Sequence, residues 1–174
     1  MTTCSLKIVI PTNILFLGHW KNGEMDGEGE LTYAKAENRA SYKGKFKRSK
    51  MSGKGKLVWK DGSKYEGNFD NDQINGFGVN TFSKEDPGDY YEGHWKDGKQ
   101  SGKGKIVFKN GAKYEGNFEN GLYNGFGVYT FSKESEADYY EGLWKDDAMS
   151  GKGKLVYKDG TKQEGTFENG SFKH

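Results

Sequence analysis

One pattern recurs along nearly the whole of this chain. It is an aromatic residue, a glycine two positions on, a second aromatic two further, a turn, and a Gly-x-Gly return. The stretch Tyr91–Lys113, YEGHWKDGKQSGKGKIVFKNGAK, carries it in full. Copies begin at Phe16, Tyr42, Tyr65, Tyr91, Tyr114 and Tyr140, and a truncated copy begins at Gln163. Tyr42 follows Phe16 by 26 residues and Tyr65 follows Tyr42 by 23; the two steps then alternate, so the larger period is 49. Recurrence at this spacing means an array of small units, each too thin to bury an apolar side without its neighbours.

Each unit reads as one β-hairpin. Tyr91-Glu92-Gly93-His94-Trp95 alternates in strand fashion, Lys96-Asp97-Gly98-Lys99 is a turn signal, and Gly102–Phe108 returns to a second turn at Lys109-Asn110-Gly111. A three-residue turn with Gly111 left-handed sets Ile106 opposite Tyr114 and Lys105 opposite Glu115. A loop one residue longer would set Val107 against Tyr114, and hydrophobic matching favours the first register. The expected fold is all-β, an elongated single-sheet antiparallel meander of repeated hairpins with about fourteen strands, roughly 65 Å long at ~4.8 Å per strand. Residues 1–15 are read as a leading half-repeat or cap strand. Repeats then span 16–41, 42–64, 65–90, 91–113, 114–139 and 140–162, and 163–174 is a truncated final repeat. Sliding the first segment by two periods lays Lys7–Ile10 on Lys105–Phe108, Asn13 on Gly111 and Phe16 on Tyr114. Lys7, Pro11, Thr12 and Asn13 interrupt the partly apolar stretch at the start, and no small-residue cleavage site follows, which argues against a secretory leader.

Pairs such as Tyr65-Gly67-Phe69 with Gly76-Gly78, Tyr91-Gly93-Trp95 with Gly102-Gly104, Tyr114-Gly116-Phe118 with Gly125-Gly127, and Tyr140-Gly142-Trp144 with Gly151-Gly153 resemble the MORN (membrane occupation and recognition nexus) repeat. The opening Tyr is replaced by Phe16 and Gln163 at the two ends. The resemblance implies a scaffold. Members of that family serve at membranes, in the cytoskeleton and cilia, and as modules attached to lipid kinases or methyltransferases, and none of those catalytic domains fits in this chain.

Composition supports a thin aromatic layer rather than a thick core: 32% of residues are hydrophobic but 15% are aromatic, and the 27 glycines are periodic. Net charge is +2 with acids and bases interspersed, so nothing calls for a nucleic-acid partner. The lone cysteine, Cys4, fits a reducing compartment, hence an intracellular, cytoplasmic protein, with cytoskeletal, ciliary or membrane association as variants of that placement.

Alternation assigns two faces. Face A carries Tyr42, Phe46, Tyr65, Phe69, Tyr91, Trp95, Tyr114, Phe118, Tyr140 and Trp144, with Leu57, Ile106 and Leu155. Rings of neighbouring hairpins are expected to fill the space above the intervening glycines. Face B carries the glutamates Glu66, Glu92, Glu115, Glu141 and Glu164. It also carries the lysines Lys54, Lys56, Lys103, Lys105, Lys152 and Lys154, with Lys56, Lys105 and Lys154 opposite Glu66, Glu115 and Glu164. On the same face, Phe77, Val79, Tyr90, Phe126, Val128 and Tyr139 are candidates for a second contact surface or for lateral packing.

No catalytic constellation is present in the sequence. His19 and His94 sit in separate repeats, and the GKGK segments lack both the GxxxxGK[ST] spacing and a following helix. The expectation is therefore a non-enzyme with no cofactor and no metal. It would bind a protein segment, an extended peptide or an amphipathic helix, in a groove along the ten face-A aromatics. Two alternatives stand beside it. One is an anionic membrane surface met by the six face-B lysines; the other is homo-oligomerisation through open strand edges.

Overall fold

A computed structural model describes residues 4–10 and 14–173, with side chains from residue 14 onward. The chain forms two compact units that divide between Lys84 and Glu85. The first unit contains β1 (Cys4–Ile10), β2 (Ile14–Lys21), β3 (Glu24–Thr32), β4 (Arg39–Lys47), β5 (Lys50–Trp59), β6 (Lys64–Asp70) and β7 (Gln73–Thr81). The second contains β8 (Gly88–Lys96), β9 (Lys99–Phe108), β10 (Lys113–Glu119), β11 (Leu122–Thr130), β12 (Ala137–Lys145), β13 (Ala148–Tyr157), β14 (Lys162–Glu168) and the short β15 (Ser171–Phe172). Within each unit the fold is an open antiparallel sheet of consecutive hairpins, every strand pairing with its neighbours in the chain.

The register follows the turn chemistry. Gly62, Gly111 and Gly160 have φ of 86°, 83° and 87°. Ile106 faces Tyr114 and Lys105 faces Glu115, while Leu57 faces Tyr65 and Lys56 faces Glu66. The leading segment obeys the same rule: β1 pairs with β2 so that Ile8 stands opposite Phe16, the counterpart of Ile106 and Tyr114. The turn assigned to Asn13 lies outside the described residues. At the opposite edge, hairpins close through two-residue turns whose residues both have positive φ, such as Asp97-Gly98 and Asn120-Gly121. This mirror-image turn matches the right-handed twist of the flanking strands.

The core is one ring deep. Tyr42, Tyr65, Tyr91, Tyr114 and Tyr140 have no accessible surface, although each lies on a single sheet. Glycines explain how. A Cβ added at Gly116 or Gly127 would stand 2.5 or 2.3 Å from the Tyr114 hydroxyl oxygen, so the ring lies flat across two bare backbones. Its outer side is closed by the second aromatic of its own hairpin and of the next. Tyr114 meets Phe118 edge-on at 5.2 Å and Trp144 at 5.4 Å, and Tyr42 meets Phe46 at 5.0 Å and Phe69 at 5.1 Å. Edge-to-face pairs of this kind contribute about 0.5–1.5 kcal/mol each beyond the area they bury.

The hydroxyl completes the arrangement. In β10 and β11, Gly116 faces Gly127 but Phe118 faces Tyr123, so the ladder is interrupted between them. The Tyr114 hydroxyl donates to the Asn117 carbonyl at 2.9 Å in that interruption, and Tyr42, Tyr65, Tyr91 and Tyr140 each donate to the carbonyl three residues on. A buried carbonyl without a donor is costly, so one side chain both fills the layer and satisfies the irregular backbone.

Candidate functional site

Within each unit the aromatics expected to line a groove lie together on face A, but as a packed layer. Nine of them are buried, Trp95 being half-buried, and the phenylalanine and tryptophan rings pack edge-on against the tyrosines instead of leaving an open groove. The physical reason is the glycine bed. Without Cβ atoms beneath it, a ring lies flat across the backbone, and the space left for a guest is taken by the next hairpin's aromatic. Burial holds the Tyr42 and Tyr114 hydroxyls well above the usual tyrosine range and pushes Tyr65 up to about 12.

The surface that face A offers comes from residues the sequence reading passed over. In the second unit Tyr123 stacks on Tyr114 at 3.8 Å with its plane tilted 12°, forming a second storey on the buried layer. Tyr129, opposite both Tyr114 and Tyr140, meets Phe131 at 4.9 Å and Phe108 at 6.4 Å. Phe108, Tyr123, Tyr129 and Phe131 are all half-buried. One period earlier, Ile74 and Asn80 hold the places of Tyr123 and Tyr129. The signal was the two-residue alternation of Tyr123, Gly125, Gly127 and Tyr129, which places both tyrosines on the glycine face.

Face B is charged and open. Lys56 and Glu66 close an ion pair at 2.7 Å, and the hydrogen bond from that ammonium holds the Glu66 carboxyl below its ordinary range. Lys105 and Lys154 face Glu115 and Glu164 as expected, and each also faces a second glutamate, Glu92 or Glu141. Lys54, Lys103 and Lys152 stand opposite Asn68, Asn117 and Thr166 instead. The second-face candidates lie on this side: Val79 faces Glu66, Val128 faces Glu115 and Glu141, Tyr139 faces Thr130, and Tyr90 faces Val107. Phe77 and Phe126 are among the most exposed large apolar residues of the chain, at 47% and 52%.

At the edge of β14, Gln163 occupies the place of the opening tyrosine. Here the ring of Phe172 in β15 lies over Gly165, 3.0 Å from where a Cβ would stand, and meets Phe167 at 5.3 Å. Among the described residues, no group of three His, Cys, Asp or Glu side chains lies close enough to hold a metal ion. Among them, no helix is long and apolar enough to cross a membrane.

The hairpin recurrence, the glycine bed and the one-ring core define an all-β repeat protein. The family is equally plain: a MORN repeat model matches residues 16–35, 42–64, 65–86, 91–113, 114–135 and 140–162, and the chain belongs to the MORN repeat family. That repeat is generally a non-catalytic module. No curated protein matches the chain. Among solved structures, the chain is similar to the TCP domain of SAS-4 (dCPAP) from Drosophila melanogaster, in complex with a proline-rich motif of Ana2 (dSTIL). The identity is 12% and the TM-score 0.36, over 82% of this chain and 86% of that one.

Proposed function

We propose that the protein is a non-catalytic scaffold that docks a segment of a partner protein on face A. The observation that carries this reading is the half-buried cluster of Phe108, Tyr123, Tyr129 and Phe131 above the closed ring layer of the second unit. The fold does not require the two tyrosine rings, because Ile74 and Asn80 serve at their equivalent places in the first unit, whereas Trp59 and Phe82 keep the places of Phe108 and Phe131 aromatic. Aromatic anchors of this kind dominate protein interfaces, often at about 2 kcal/mol or more each. The motif tyrosines beneath act as the rigid base, and replacing them with alanine would disturb the core before it reported on binding.

The test exchanges the second unit's residues for the first unit's own. Tyr123→Ile combined with Tyr129→Asn should lower partner recovery in a pull-down by about tenfold, with the circular dichroism spectrum and thermal midpoint kept near wild type. The membrane alternative is favoured by the lysines Lys54, Lys103 and Lys152, which face no carboxylate across the strand. Flotation with phosphatidylserine vesicles that persists in the tyrosine variant but disappears on charge reversal of these lysines would replace the protein-partner reading with that one.

A further inference from the structure

Two parallel rows of side chains cross face B of the second unit, with bare backbone between them. One row runs Glu92, Lys105, Glu115, Val128, Glu141, Lys154 and Glu164, each opposite the next on adjacent strands. In it every lysine is flanked by glutamates. The other row contains Lys103 opposite Asn117, Phe126 opposite Leu143, and Lys152 opposite Thr166. Between the rows on β11–β14 lies a depression of about 570 Å³, floored by Gly142, Gly153 and Gly165 and walled on one side by Phe126, Lys152 and Thr166.

The array contains its own control for this place. Two periods earlier the pair equivalent to Phe126 and Leu143 is Glu28 opposite Lys45, an ordinary charged surface pair. The fold is therefore built equally well with ions at these positions. One period earlier Phe77 already stands at the place of Phe126, and in the second unit both places hold large apolar side chains, 52% and 43% exposed. Leu143 is seated against the bare backbone of Gly151, whose added Cβ would stand 3.1 Å from the leucine methyl. Exposed apolar groups that folding does not need mark contact surfaces.

Charge selects the occupant. The glutamates of the first row already face lysines across the strands, whereas Lys103 and Lys152 face an amide and a hydroxyl. These two cations bracket the apolar pair from β9 and β13, four strand spacings or roughly 19 Å apart along the sheet. An extended chain covers that span in about six residues.

We propose that this groove docks an acidic–apolar polypeptide segment, with large apolar side chains on Phe126 and Leu143 and carboxylates at either end on Lys103 and Lys152. The proposal concerns the face opposite the aromatic cluster and stands whether or not face A binds a partner.

The test is selection of a displayed library of random peptides, each about ten residues long, on the full chain. A Phe126→Glu, Leu143→Lys variant, which installs the first unit's own pair, serves for counter-selection. Peptides retained by the wild type alone should carry bulky apolar residues flanked by Asp or Glu. A selected peptide, measured by fluorescence anisotropy, should bind that variant and a Lys103→Gln, Lys152→Gln variant about tenfold more weakly or worse, with wild-type thermal midpoints in both. Absence of any peptide that distinguishes wild type from the apolar-pair variant overturns the proposal. So does enrichment of Lys- or Arg-flanked peptides. Concentration-dependent dimers of the wild type that the Phe126→Glu, Leu143→Lys variant does not form would assign the groove to a second copy of this chain instead. Loss, in the same variant, of flotation with phosphatidylserine vesicles would assign it to a lipid surface.

Discussion

The glycines of this protein fall into kinds that a substitution experiment separates. Gly127 lies beneath the Tyr114 ring, where an added Cβ would stand 2.3 Å from the hydroxyl oxygen. Gly111 has a φ of 83° and open space on every side. Gly127→Ala should therefore cost about 3 kcal/mol through displaced packing. Gly111→Val should cost about 1–3 kcal/mol through backbone strain alone, while Gly111→Asn stays near wild type because Asn tolerates the left-handed region. Urea unfolding of the three variants checks the ranking, which fails if Gly111→Asn is as destabilised as Gly127→Ala. The need for glycine at both places was legible from the repeat, and so was the turn conformation of Gly111. That rings lie across the glycines was legible as well. Alternation did not say that each tyrosine covers the glycine pair of its own hairpin, or that the second aromatics close over it, and that closure turned the expected open groove into a packed layer.

Between hairpins, two edge devices tie each unit together, and neither is visible in any one repeat. Lysines of the Lys-Asp/Asn-Gly turns reach back to the longer connection before them. The Lys158 ammonium donates to the carbonyls of Ser132, at 3.1 Å, and Lys133; Lys60 does the same for Ala34, Lys35 and Glu37, and Lys109 for Asp86. At the opposite edge, the second residue of a tight turn engages the preceding hairpin. The Asp147 amide donates to the Tyr123 carbonyl, and its carboxylate accepts from the Tyr123 amide at 2.7 Å. Asp72 and Met51 repeat the exchange. Lys158→Met keeps the stem and removes the donor, so it should loosen the connection it caps. The Ser135 amide, which closes a bond to Ser132 at 3.2 Å, should exchange with deuterium about tenfold faster in that variant, whereas the Tyr114 layer should stay protected. Equal exchange at Ser135 in both proteins would show that the lysine is a bystander. These contacts escaped the sequence because they join residues about 25 apart, across two turns, through main-chain carbonyls that carry no residue signature.

For the molecule as a whole, a core of buried phenols makes alkali the natural denaturant. Burial raises the Tyr65 hydroxyl to about 12 and holds Tyr42 and Tyr114 higher still. In the unfolded chain the same groups titrate near ~10. A folded-state value above the unfolded one means that stability is fully present below about pH 10 and is lost as pH rises through the folded values. The thermal midpoint should fall steeply from about pH 10 to about pH 12, with the phenols of the buried layer ionising at unfolding rather than before it. A midpoint flat across that range would contradict the buried-phenol account. The hairpin repeat and all-β class were readable at this scale because they repeat; the two-storey tyrosines and the apolar pair on face B are departures from the repeat, and a motif averages departures away. The lysine clasps have a consequence for descent. Each one joins a short-turn hairpin to the long-turn hairpin before it, and each is spaced 49 residues from the next. A gene gaining or losing one hairpin would set two like hairpins side by side and leave a clasp without its loop. Unequal crossing-over can therefore lengthen or shorten such a gene without damage only in whole pairs, and its viable products form a ladder with double-hairpin rungs.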